Sequence, residues 1–116
     1  MAGYLSYDSS EYWNRRYLEL SKNLRSLDEN IKSRLIIQII AQRVQVLLYK
    51  KGELNNALAF ESRVKEICDE LNIKFNGSQL NKLSNLKNSH FTIDGHFTPL
   101  ANSVVGKTLA EFISGL

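Results

Sequence analysis

The sequence predicts an α/β fold, a parallel sheet with flanking helices in a three-layer, flavodoxin-like arrangement that is incomplete in this chain, with an all-α fold as its rival. Three observations carry the prediction. Two stretches have apolar residues at helical spacing, short apolar runs rich in β-branched residues lie after each of them, and a capped helix closes the chain. At 116 residues, with 43% hydrophobic and 23% charged residues and a single Pro, the chain is of single-domain size, spanning residues 1–116, and too apolar for disorder.

The elements follow in order. Asp8 and Glu11 have the spacing of a capping box, and Trp13, Tyr17, Leu20, Leu24, Leu27 and Ile31 behind it predict an amphipathic helix over residues 9–30. Its other face carries charges of both signs and needs only water. Residues 34–41, Arg-Leu-Ile-Ile-Gln-Ile-Ile-Ala, lack a helical polar break and predict a strand covered on both faces. The apolarity continues through Val44, Val46, Leu47 and Leu48, which keeps open a helix over residues 36–49 ended by Gly52. Ala57, Phe60, Val64, Ile67 and Leu71 form the second helical stripe, over residues 53–71, closed by Asn72. Ile73-Lys74-Phe75 predicts a short strand. Residues 76–89, with leucines at 80, 83 and 86, predict a loop or a loop with one helical turn. Thr98 as N-cap and Pro99 as first residue begin the last helix, whose predicted buried face is Val104, Val105, Leu109, Phe112 and Ile113, with Gly115 past its end.

Composition narrows the function. The net charge is +3, but 15 basic residues are interspersed with 12 acidic ones, so no nucleic-acid stripe forms and no nucleic-acid partner is expected. The single cysteine, Cys68, predicts a core thiol and no internal disulfide. No signal-peptide or bilayer-length apolar run is present, so no membrane partner is expected; the chain as written reads as cytoplasmic, while its single cysteine neither requires nor excludes an oxidising compartment, and the compartment is left open.

The chemistry-bearing stretch is Phe91-Thr-Ile-Asp94-Gly95-His96-Phe-Thr-Pro99. An Asp two residues before a His places carboxylate and imidazole in one loop, where the carboxylate can orient the ring as a general base. The same spacing is also that of an ordinary Asp-Gly turn. The longer segment through Val-Val-Gly-Lys-Thr-Leu-Ala-Glu-Phe-Ile113 resembles the last block of SGNH/GDSL-type hydrolases. The stretch from Leu35 to Val46 and the one from Phe60 to Phe75 look like the family's preceding strand and helix, so the resemblance covers residues 31–116.

The resemblance implies serine-esterase chemistry on an ester or O-acyl substrate, with Asp94 as orienting acid and His96 as base. Gly95 would shape the turn. The family's Gly-Asp-Ser nucleophile turn and Gly-x-Asn-Asp block have no counterpart here. Tyr7-Asp8-Ser9 is the nearest candidate, and Asp8 and Ser9 read better as helix caps than Ser9 as nucleophile. The expectation is therefore a C-terminal portion of such a domain, inactive alone, completed by a partner chain or by self-association. No cofactor is expected. A metal set of His90, Asp94 and His96 falls short of the usual ligand pattern, with His90 read as an exposed loop residue, and a Cys68-His96 pair lacks an electropositive neighbour for the thiol. A non-catalytic helical interaction module is the alternative function, from a faint likeness of residues 47–60 to one tetratricopeptide unit.

Overall fold

The structure, a computed structural model, describes residues 10–116. It is 61% helical, with six helices and one two-stranded parallel sheet among the described residues, which overturns the three-layer α/β expectation. The elements are α1 (Ser10–Arg25), α2 (Glu29–Lys32), β1 (Ile36–Gln38), α3 (Arg43–Lys50), α4 (Leu54–Leu71), β2 (Lys74–Asn76), α5 (Leu80–Leu83) and α6 (Pro99–Ser114).

The apolar run over residues 34–41 explains the correction. Only Ile36–Gln38 is extended, and all three residues are half-buried rather than sealed on both faces. Ile39 is buried while Ile40 stands 58% exposed. Chain direction then changes at Gln42, whose backbone N–H donates to the Gln45 side-chain carbonyl at 2.7 Å, and α3 begins. The apolarity of Val44 to Leu48 therefore belongs to a helix, and that of Ile36 and Ile37 to a strand.

Two compact units organise the chain. The first comprises residues 10–37 and 59–75 of the described chain. Here α1 and α4 run side by side in the same direction. Trp13 meets Phe60 with ring centroids 5.0 Å apart, the Arg63 guanidinium lies 3.9 Å from the Tyr17 ring centroid, and Arg25 pairs with Glu70. Arg63 also donates to the Asn14 side-chain oxygen at 2.9 Å. Val64, Ile67 and Cys68 of α4 are buried, as the stripe and the core thiol predicted, and Asn72 takes the left-handed conformation (φ +57°) that ends the helix. The predicted first helix breaks at Ser26, and Asp28 caps α2 by accepting from the Asn30 N–H at 2.7 Å. Ile31, predicted inward, is 51% exposed. The proposed caps Asp8 and Ser9 lie outside the described residues.

The second unit, residues 38–58 and 76–116, has its own core. Ala41, Val46, Ala57, Leu80, Leu83, Ala101 and Val105 are buried together, with Tyr49, Leu86 and Phe97 packed against them. Leu80 and Leu83 show why a segment rich in Asn, Ser and Lys still folds inward: its spaced leucines form the buried side of the single turn α5. Thr98 caps α6 by accepting from the Ala101 N–H, with Pro99 behind it. The buried face of α6 is Ala101, Val105 and Thr108, while Ile113, expected inside, is 50% exposed. No described helix is long and apolar enough to cross a membrane.

Candidate functional site

The Asp-Gly-His block forms the tip of a hairpin in the second unit. His90 and Phe97 face each other in an antiparallel bridge, and the Phe91 N–H donates to the His96 carbonyl at 2.8 Å. At the base, the Thr98 hydroxyl donates to the Asn88 carbonyl and the Thr98 N–H to the Ser89 carbonyl, at 2.8 and 2.9 Å. Thr98 therefore both starts α6 and ties the two arms together.

At the tip, Gly95 adopts φ +74°, a left-handed conformation that residues with a side chain resist. That turn brings the two predicted residues together. Asp94 Oδ1 accepts the His96 backbone N–H at 3.0 Å and lies 3.5 Å from His96 Nδ1. The backbone N–H holds the Asp94 carboxyl below its ordinary range, with a smaller contribution from the imidazole. The His96 side chain is 84% exposed and that of Asp94 58%, so the imidazole is open to any group that approaches it. A carboxylate near Nδ1 favours the tautomer with the proton on that nitrogen and leaves the Nε2 lone pair open to solvent. The 3.5 Å spacing is looser than a formed hydrogen bond.

His90 corrects a sequence expectation. It is 7% exposed, not a free loop residue, and both ring nitrogens are engaged. Nε2 lies 2.9 Å from the Ala41 carbonyl, and Nδ1 lies 2.9 Å from the Ser89 hydroxyl. A carbonyl can only accept, so Nε2 carries the proton and Nδ1 accepts from the hydroxyl. Burial lowers the pKa of His90, opposed by the Ala41 bond and reinforced by the Arg43 charge. The pair thus resembles a nucleophile and its base in contact, but this imidazole resists the proton a base must take up. Its evident work is to anchor the hairpin arm to the chain at Ala41, with the ring also packed 4.7 Å from Phe97.

With both nitrogens committed, His90 cannot join Asp94 and His96 around a metal, and no group of three potential metal ligands occurs among the described residues. Cys68 is fully buried, and burial raises its pKa, so it supplies no ready thiolate. Beside the hairpin, a cleft of about 90 Å³ is lined by Arg43 and Lys50 of α3 and by Lys87, Ser89, His90 and Thr92. Sequence reasoning missed this cleft, although the seven-residue spacing of Arg43 and Lys50 was a visible signal that both share one helix face. No family model, curated protein or solved structure matches the chain.

Proposed function

We propose that the hairpin is the acid–base part of an ester-hydrolysing or acyl-transferring site, as the resemblance to SGNH/GDSL-type hydrolases implies, with its nucleophile supplied from outside residues 10–116. The observation that supports the reading is the placement of Asp94 Oδ1 against both the backbone N–H and Nδ1 of one solvent-open histidine. The reading rests on this loop and not on a complete hydrolase fold.

In such a reaction His96 Nε2 removes the proton of the attacking hydroxyl as its oxygen bonds to the ester carbonyl carbon. The same proton then goes to the departing alkoxide, which leaves as an alcohol, and the acyl group remains on the nucleophile. Asp94 keeps the ring oriented and stabilises the imidazolium that forms between these steps. Release of p-nitrophenol from p-nitrophenyl acetate by the full chain, with an added alcohol standing in for the nucleophile supplied from outside residues 10–116, tests the reading. His96→Ala should lower the rate above buffer by about 100-fold, the lower end of a general-base contribution, and Asp94→Asn should lower it in the same direction. Rates unchanged in both variants would end the proposal.

A second reading, a non-catalytic helical interaction module, is favoured by the predominance of helix and by Phe91, Ile93 and Leu100, which are 49%, 101% and 56% exposed on or just beyond the hairpin. Sedimentation that stays monomeric across concentration would count against pairing of this chain with itself.

A further inference from the structure

We propose that the cleft between α3 and residues 87–92 binds a phosphoryl group. Arg43 and Lys50 are seven residues apart on one face of α3, with Val46 and Leu47 between them, and Lys87 lines the same cleft from the following segment. No acidic side chain lines it. Arg43 and Lys87 have no carboxylate partner among the described residues, and Lys50 is held by the Leu86 carbonyl (3.2 Å), which leaves its charge uncompensated.

Three exposed positive charges around one cleft favour an anion of more than one charge over a singly charged one. A phosphate monoester carries about −1.5 to −2 at neutral pH, against −1 for a carboxylate, and it offers three acceptor oxygens to several donors at once. Arg supplies a planar fork for two of those oxygens and Lys a mobile point charge. The volume, about 90 Å³, is well below the few hundred Å³ of a drug-sized ligand pocket, so the site takes the head group and leaves the rest of the ligand in solvent. The Ser89–His90 wall fits that role. The imidazole is neutral, its Nε2 proton is committed to Ala41, and the Ser89 hydroxyl proton is committed to Nδ1, so the wall is rigid and the cations supply the attraction. Thr92 also lines the cleft and lies two residues before Asp94, which bounds the separation of their Cα atoms at about 7 Å. A ligand held by its phosphoryl group would extend beside the hairpin tip.

The proposal stands apart from the Asp94–His96 reading, and its test separates the two. The full chain is titrated with inorganic phosphate at constant ionic strength while backbone amide signals are followed by NMR. Saturable shifts confined to residues 43–50 and 86–92 are expected. Arg43→Gln and Lys87→Gln should each weaken binding at least fivefold, His96→Ala should leave it unchanged, and acetate should bind at least tenfold more weakly. Phenyl phosphate binding more tightly than inorganic phosphate would assign the site to monoesters, and the reverse order to the free ion. Shifts that fail to saturate, shifts equally large near Lys22 and Lys65, or variants that bind like the parent would overturn the proposal.

Discussion

Replacing His90 by Phe keeps a ring of similar size against Phe97 and removes only the two polar contacts. The Ala41 carbonyl, on a residue 2% exposed, would lose its partner, and leaving a buried acceptor unpaired costs about 1–3 kcal/mol. The Ser89 hydroxyl loses its acceptor as well, at about 1 kcal/mol. A destabilisation of about 2–4 kcal/mol follows, a large fraction of the 5–15 kcal/mol that domains of this size possess. In urea, with slopes of about 1–3 kcal/mol per molar, the midpoint should fall by roughly 1 M or more. The pH dependence gives a second handle. The folded-state pKa of His90 lies below the unfolded value of about 6.5, so the unfolded chain binds the extra proton. Its contribution is fully present above pH 6.5 and is lost as pH falls toward the folded value, at up to about 1.4 kcal/mol per pH unit. The Phe variant should lack that component, so the gap between the two proteins narrows on acidification. A midpoint unchanged at pH 7.5, or a gap constant between pH 7.5 and 5.5, would refute the assignment of His90 as a buried neutral anchor.

The remaining predictions concern the frame around the hairpin. Gly95→Ala should cost about 1–2 kcal/mol through its left-handed backbone alone, since nothing lies within 4 Å of the position a Cβ would take; a variant as stable as the parent would show that the turn takes another conformation. Leu83→Ala, at a fully buried position in the second unit, should cost about 2–5 kcal/mol in the same urea assay. Cys68 should resist iodoacetamide in the folded chain and react readily in denaturant, because burial both blocks the thiol and raises its pKa; rapid reaction without denaturant would place it outside the core.

What was legible in the sequence was local chemistry. Thr98 and Pro99 announced α6, Asn72 announced the left-handed end of α4, and the Asp94-Gly95-His96 spacing announced a turn that joins carboxylate and imidazole. Each depends on neighbours within a few residues. The fold class was not legible, because the run Leu35 to Leu48 contains a strand and a helix with similar apolarity, and only a Gln42–Gln45 contact, rarer than a Ser or Asp cap, marks the join. The engagement of His90 was hidden for another reason. Its partner Ala41 is 49 residues away, and a Ser-His pair after a polar loop reads as surface until that carbonyl is found above it.

In the proposed site the Asp94 carboxylate, 3.5 Å from His96 Nδ1, biases the ring proton to that nitrogen, and long-range 1H–15N correlation of the two imidazoles, recorded at alkaline pH, tests that most directly. His96 should carry its proton on Nδ1 and lose that preference in Asp94→Asn, while His90 in the same spectrum carries its proton on Nε2. A His96 protonated on Nε2 in the parent chain, unaltered by the Asp94 substitution, would contradict the pair and with it the proposed chemistry.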